Sequence, residues 1–284
     1  MALQPEEFEN NQLSLVQPVS TRHHHPVTDA QFILRFLKHT ALHHPHLINE
    51  RGVASEFWNF IHSETHRGIG VPHGNGEPVL TIPGAASGDW ILAPMNNYLR
   101  TIGYTPYTSG IFLNVQPGEN YMLRLSDILK KIADDTGQKV SIVGHSLGGS
   151  LGKVLSDSHP QEVEKVVGFA AVFNSSIGIN PLLFAALLPA FAYDLAAFGP
   201  SVLPREIKIF HALDEPAKVP IYSIYSEKDG ILTFFSCIRG DSANIKVDST
   251  HIGMIWNEGA LRTLATVLRP EERPALKVVR HARV

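Results

Sequence analysis

Residues 139–149 read Lys-Val-Ser-Ile-Val-Gly-His-Ser-Leu-Gly-Gly, and this stretch decides the fold. Its first part, residues 139–143, is rich in β-branched residues and predicts a buried strand. Residues 151–158 after it have the pattern of a helix. Between them stands Gly-x-Ser-x-Gly at 144–148, so the chain must pass from strand to helix through a very tight turn around a serine.

Such a turn has consequences for Ser146. It forces an unfavourable backbone angle on the serine, while Gly144 and Gly148 leave room where side chains would collide with neighbouring backbone. The hydroxyl is then held out at the carboxyl edge of the sheet, where open α/β sheets bind ligands. Backbone N–H groups at the start of the following helix face the same place. The alternative is a glycine-rich turn with an idle serine.

The rest of the chain alternates between strand and helix patterns. Strands are predicted at residues 79–82, 104–109, 139–143, 166–173, 220–225 and 244–247. Helices are predicted at residues 90–102, 121–136, 151–158 and 258–268. This alternation predicts an α/β fold with a doubly wound, mostly parallel sheet.

The first 75 residues have a different pattern. Residues 1–27 form a polar, proline-interrupted tail, and helices are predicted at 29–42 and 53–63. A loop rich in glycine and proline follows at 68–78. We therefore predict an N-terminal tail and helical extension over residues 1–75 and a catalytic domain over residues 76–284.

Composition restricts the class of protein. The chain has 284 residues, 44% hydrophobic and 18% charged, with a net charge of −3, which is typical of a globular domain. Its scattered basic residues favour neither a nucleic-acid groove nor a membrane-binding patch. The N-terminus lacks the pattern of a secretory signal, so a cytoplasmic location is expected. The most apolar stretch, residues 181–199, contains Pro189 and Asp194, which favours a cap segment over a membrane span.

The chain has fifteen histidines and a single cysteine, residue types that can bind metals or form disulfides. His39 and His43 could share a helix face and bind a metal. No carboxylate at ligand spacing accompanies them, and Pro45 follows directly, so a solvated or packing role is favoured. Cys237 is alone, which excludes an intrachain disulfide. We expect no metal or organic cofactor.

From about residue 79 to residue 268, the chain resembles the α/β-hydrolase superfamily. Within it, the motif Gly-His-Ser-Leu-Gly-Gly is similar to that of lipases and esterases. The resemblance implies that Ser146 is a nucleophile and that an acid and then a histidine follow it along the chain. It covers about two thirds of the sequence and does not extend to residues 1–75.

A serine needs a base within hydrogen-bond reach. After Ser146 the histidines are His159, His211, His251 and His281. The resemblance places the base on the loop after the final strand, which selects His251, with His211 as the alternative.

The acid is expected at the end of an earlier strand. Asp229 follows a β-rich run and precedes a glycine, which is similar to the acid loop of the family. Other candidates are Glu227, Asp241 and Asp248, and Asp229 itself could be an ordinary Asp-Gly turn.

Two backbone N–H groups are expected to bind the oxyanion. One belongs to Leu147, directly after the nucleophile. The other is on the loop after the first core strand, where similar enzymes use the residue after a glycine, which here is Ala85. An ordinary turn at the same place is the alternative.

The resemblance also suggests a cap insertion at about residues 174–205, which is rich in Ile, Leu, Phe and Ala. An apolar cap favours a small-molecule ester with a hydrophobic acyl or alcohol part; simple packing of these residues on the core is the alternative. The sequence is therefore compatible with three functions, of which a carboxylic ester hydrolase is favoured. The alternatives are an acyltransferase with the same Ser-His-Asp triad and a non-catalytic binding protein. No feature of the sequence indicates an oligomeric state.

Overall fold

The computed structural model describes residues 46–115, 118–174 and 211–269, with isolated positions at 34, 38, 192, 196, 199 and 209. The predicted tail and most of the predicted helix over 29–42 lie outside these residues, although Leu34 and Lys38 are both helical. All but a few positions of the predicted cap lie outside them too. Within the described ranges, every helix is too short or too polar to span a bilayer.

The described strands form a single parallel sheet. They are β1 (Pro78–Ile82), β2 (Thr105–Thr108), β3 (Val140–His145), β4 (Val163–Phe169), β5 (Ile221–Tyr225) and β6 (Ala243–Lys246). Their order across the sheet is β2-β1-β3-β4-β5-β6, and each neighbouring pair is parallel. The predicted fold class is confirmed. The strand order reverses between β1 and β3, and such a switch point opens a crevice at the carboxyl edge.

Helices cover both faces of the sheet. The α-helices described from end to end are α1 (Val53–His62), α2 (Ala93–Thr101), α3 (Gly118–Thr136), α4 (Leu147–Ser158) and α5 (Glu258–Leu268). Leu99 of α2 and Leu261 of α5 belong to one buried apolar cluster, whereas Leu125 of α3 and Leu151 of α4 belong to the other. The sheet is therefore doubly wound, with its central strands β1, β3 and β4 largely buried between two cores.

Strand β4 is displaced from its predicted position at 166–173. It begins three residues earlier and ends at Phe169, because Ala170 has a φ of 47° and turns the chain. Ala171 and Phe173 remain fully buried beyond that turn, which extends the apolar run without extending the strand. Burial and strand conformation coincide over only part of this segment.

The N-terminal helical residues pack close to the carboxyl edge. A 3₁₀ turn over Leu47–Gly52 leads into α1, which agrees with the helix predicted over 53–63. Phe60 is fully buried, and the ring of Phe57 lies 5.2 Å from that of Trp256, in the segment after β6. The domain boundary near residue 75 stays a prediction.

Candidate active site

Ser146 occupies a sharp turn between β3 and α4. Its backbone has φ 51° and ψ −123°, a conformation that non-glycine residues adopt only when their surroundings impose it. A Cβ on Gly148 would lie 2.6 Å from the carbonyl oxygen of Pro83, and a Cβ on Gly144 would strike the backbone of Gly149. The two motif glycines thus allow the close packing that the sequence predicted around the serine.

Two further non-glycine residues have positive φ, and both lie at the same edge of the sheet. Ala86 (φ 54°) is in the loop after β1, and Ala170 (φ 47°) directly follows β4. With Ser146 after β3, strained backbone therefore follows three adjacent strands at their carboxyl ends. Strained backbone of this kind persists only where the surrounding structure stabilises it. In proteins it is concentrated at functional sites.

Asp229 and His251 form a buried pair on the loops after β5 and β6. The Nδ1 of His251 lies 2.6 Å from Oδ2 of Asp229, and the residues are 3% and 4% exposed, respectively. The other carboxylate oxygen of Asp229, Oδ1, accepts hydrogen bonds from the backbone N–H groups of Ile231 (2.8 Å) and Leu232 (2.7 Å). The carboxylate is therefore fixed on one side and directs its second oxygen at the imidazole.

The same contacts affect the pKa of the His251 imidazole. Burial alone would lower the pKa of the imidazole, but the charge and hydrogen bond of Asp229, together with the charge of Glu50, raise this pKa above its ordinary value. An imidazole that donates Nδ1–H to a carboxylate keeps its Nε2 lone pair for a proton. The arrangement suits a base that becomes a stabilised cation after taking a proton.

His145 connects the turn of Ser146 to the loop of His251. Its Nε2 lies 3.1 Å from the backbone carbonyl oxygen of His251, and the two rings are 5.0 Å apart between centroids. Burial, with a smaller effect of His251, lowers the pKa of His145 to about 3, so this imidazole is neutral. The neutral ring donates Nε2–H to the carbonyl, which ties the base loop to the residue beside Ser146.

The structure brings the predicted nucleophile, acid and base to one edge of the sheet, but it does not join all three by hydrogen bonds. Asp229 and His251 are hydrogen-bonded, whereas no hydrogen bond joins the side chains of Ser146 and His251. Such bonds are often long before a substrate is bound and tighten in the reacting complex.

The predicted oxyanion-binding residues lie beside Ser146, one at the start of α4 and the other on the loop after β1. Leu147 is the first residue of α4, where a backbone N–H has no acceptor within the helix. A Cβ on Gly84 would lie 3.1 Å from the Cβ of Ser146, so the loop after β1 passes directly over the serine. Ala85 follows this glycine and is exposed, and its N–H has no hydrogen-bond acceptor among the described residues. Both groups are available for a ligand oxygen.

The alternative acids are engaged elsewhere. Glu227 pairs with Lys246 at 2.6 Å, and Asp248 pairs with Lys228 at 2.7 Å on the surface. Asp241 pairs with Arg239; burial alone would raise its pKa, but the hydrogen bonds and charge of Arg239 lower it to about 2.

The alternative bases are not seen beside Ser146. His159 follows α4 at the opposite edge of the sheet, with its Nε2 2.9 Å from the Oγ of Ser126. His211 lies in a helical stretch before β5, next to Ala212, whose carbonyl accepts from Lys153 at the last turns of α4. His281 lies outside the described residues.

Glutamates of the N-terminal segment were not predicted near the site. Glu50 and Glu56 accept hydrogen bonds from the loops that carry Asp229 and His251. No local sequence signal could have revealed this, because the contacts span about 200 residues.

Among the described residues, no group of three or more His, Cys, Asp or Glu side chains could hold a metal ion, and His39 and His43 lie outside those residues.

Sequence similarity to known proteins covers only part of the chain. No family model matches the chain. Over 77 residues it is 34% identical to the putative carbamate hydrolase RutD of Yersinia enterocolitica, a match that spans 27% of this chain and only 28% of that protein.

Two solved structures are similar over most of their length. Bacillus licheniformis lipase BlEst2 in mature form superposes with a TM-score of 0.53 and 15% identity, covering 71% of this chain and 96% of the lipase. A putative aryl esterase from Burkholderia cenocepacia gives a TM-score of 0.50 and 16% identity, with coverages of 70% and 92%. At these identities the likeness concerns the fold.

Proposed function

Because the chain has the α/β-hydrolase fold, we propose that it is a serine hydrolase that cleaves carboxylic esters. Ser146 is the nucleophile, His251 the general base and Asp229 the acid that orients it. The backbone N–H groups of Leu147 and Ala85 bind the oxyanion. One observation carries most of this proposal: the buried 2.6 Å contact between His251 and Asp229, on loops at the same edge as the strained Ser146.

The reaction has two halves. In the first, the oxygen of Ser146 attacks the ester carbonyl while Nε2 of His251 takes the hydroxyl proton. The tetrahedral oxyanion is stabilised by the two N–H groups, and it collapses as His251 returns the proton to the departing alcohol. In the second half, His251 removes a proton from water, the hydroxide attacks the acyl-enzyme, and the acid leaves as Ser146 regains its proton.

The surroundings of the site favour a hydrophobic ester. The loop after β1 is joined to the loop after β2, since Ala86 N–H donates to the carbonyl of Asn114 at 2.8 Å. Beside this junction Trp90 is 60% exposed, Phe112 86% and Leu113 47%. They lie at the junction with the loop that approaches Ser146 at Gly84, and exposed apolar side chains this large are typical of a surface that binds apolar ligand groups.

The test is turnover of p-nitrophenyl esters of increasing acyl length by the wild type and by Ser146→Ala. We expect the wild type to prefer longer acyl chains over acetate. We expect Ser146→Ala to lose at least about 1,000-fold in kcat, as removal of a triad member does.

Ser158→Ala is the matched control, because this serine lies exposed at the far end of the same helix and donates to the carbonyl of Val154. It should retain wild-type turnover. Equal rates for the wild type and Ser146→Ala would refute the proposal. Addition of a competing alcohol separates hydrolysis from acyl transfer, since transfer would yield the new ester in place of the acid.

A further inference from the structure

One carboxylate of the N-terminal segment joins the loops of the acid and the base. Oε1 of Glu50 accepts hydrogen bonds from the backbone N–H groups of Gly230 and His251, both at 2.8 Å. Oε2 accepts a third from the N–H of Ile252 at 3.0 Å. Because Gly230 directly follows Asp229, Glu50 holds the two loops at the positions that bring Asp229 and His251 together.

A second carboxylate fixes the residues just before the base. Oε1 of Glu56, in α1, accepts from the backbone N–H of Thr250 at 2.8 Å. Its Oε2 accepts from the hydroxyl of Ser249 and from the side-chain amide of Asn257, the latter at 2.9 Å. The backbone on both sides of the His251 N–H is therefore anchored to the N-terminal segment.

The two loops have glycines where these carboxylates approach. A Cβ on Gly230 would lie 2.9 Å from both Oε1 of Glu50 and the carbonyl oxygen of His46. A Cβ on Gly253 would lie 2.7 Å from Oε1 of Glu56. A side chain at either position would push the glutamate away, so the close approach depends on both glycines.

The charge of Glu50 also acts on the base. The ionisable groups that face His251 are Asp229 on the acid loop, Glu50 on the 3₁₀ turn and neutral His145 at the end of β3. Glu56 lies against the neighbouring Thr250. Burial lowers the pKa of His251, whereas Asp229 and, after it, Glu50 raise it. Removal of the charge at position 50 should therefore make His251 a weaker base.

We propose that Glu50 is a positioning residue for catalysis, which clamps the acid loop to the base loop and places a second negative charge beside the catalytic imidazole. This inference rests on the proposed function. It gives the N-terminal segment, which lies outside the part of the chain that resembles hydrolases, a direct role in the active site.

The test compares Glu50→Gln with Glu50→Asp. Glutamine removes the charge but keeps an acceptor oxygen, so the midpoint of the acidic limb of kcat/KM should fall by roughly half a pH unit to one unit. The plateau of kcat should fall about 10-fold as the loops loosen, with KM little changed. Aspartate keeps the charge but is one methylene too short to join both loops, so it should lower the plateau without moving the midpoint as far.

A matched control and an independent readout complete the experiment. Glu64→Gln makes the same chemical change at an exposed residue of the same segment whose side chain makes no hydrogen bond to a described residue, and it should behave as the wild type. NMR titration of the His251 imidazole measures its pKa without turnover and should show the same downward shift in Glu50→Gln.

An unchanged pKa of His251 and unchanged turnover in Glu50→Gln would overturn the role of Glu50, even if Ser146 remained essential. If Glu50→Gln failed to fold, a Glu50→Asp variant with a wild-type plateau would overturn it equally. Wild-type turnover that survived Ser146→Ala would instead contradict the proposed function.

Discussion

At the scale of single residues, Asp229 uses its two oxygens for different purposes. Oδ1 is held by two backbone N–H groups, and Oδ2 receives the Nδ1–H of His251. An amide at this position could present its NH₂ group to the ring and select the wrong tautomer of His251. We expect Asp229→Asn to lower kcat by about 1,000- to 10,000-fold with little change in KM, measured by steady-state kinetics.

The pH profile should change in the same variant. Activity requires neutral His251, so in the wild type it is lost as the pH falls through the raised pKa of this group. In Asp229→Asn the carboxylate no longer raises the pKa of His251, so burial lowers this pKa. The acidic limb of the profile should therefore move to lower pH. Asp248→Asn, at an exposed aspartate paired with Lys228, is the control and should keep the wild-type profile. A profile in Asp229→Asn that matched the wild type would contradict the role of Asp229.

The sequence predicted some of these residues and not others for physical reasons. Ser146 lies in a local pattern whose geometry depends on neighbouring residues, so the turn could be inferred without the fold. Asp229 and His251 needed the chain order that the family resemblance supplied. Glu50 acts by accepting hydrogen bonds from backbone N–H groups about 200 residues away, and such bonds use no side chain of the donor residues His251 and Ile252, so they leave no recognisable motif in the sequence.

At the scale of secondary-structure elements, the turn that carries Ser146 depends on close packing between the start of α4 and the end of β1. A Cβ on Gly148 would strike the carbonyl of Ile82 and lie 2.6 Å from that of Pro83. Gly148→Ala must therefore displace Ser146 or the oxyanion loop. We expect a loss of about 1–3 kcal/mol in the free energy of unfolding and of about 100-fold in turnover, measured by urea denaturation and ester hydrolysis.

Gly259→Ala is the matched control for that substitution. Gly259 lies exposed in the first turn of α5, and an added Cβ would find its nearest neighbour, Oδ1 of Asn257, at 3.3 Å. Alanine favours a helix over glycine by about 1 kcal/mol, so this variant should be as stable as the wild type or more so. A Gly148→Ala protein with wild-type stability and turnover would show that the turn of Ser146 does not need this close approach.

Element types were predictable where sequence periodicity and local chemistry agreed, and boundaries were less so. The helix predicted over 258–268 is present with those limits, because Asn257 caps it by accepting from the N–H of Ala260 at 3.0 Å. Strand β4 ends earlier than its apolar run, since Ala170 turns the chain while later residues stay buried. The pattern of hydrophobic residues reports burial, and strand limits depend on backbone angles that it does not encode.

At the scale of the whole molecule, the sheet gathers distant segments at one edge. The order of strands reverses between β1 and β3, and the loops after these strands carry Ala85 and Ser146. The loops after β5 and β6 bring Asp229 and His251 to the same edge, and the N-terminal segment holds both of them through Glu50. The candidate site thus draws on five segments of the chain. The sequence, together with the family resemblance, predicted candidate residues on four of them, and Glu50 on the fifth was not predicted.

The central claim is that Ser146 is made nucleophilic by His251. The most direct measurement is covalent labelling with a fluorophosphonate, followed by peptide mapping by mass spectrometry and by the rate of adduct formation. We predict one adduct per chain, on Ser146, formed at least about 1,000-fold more slowly in His251→Ala. An adduct on another residue, or an undiminished rate in His251→Ala, would contradict this account.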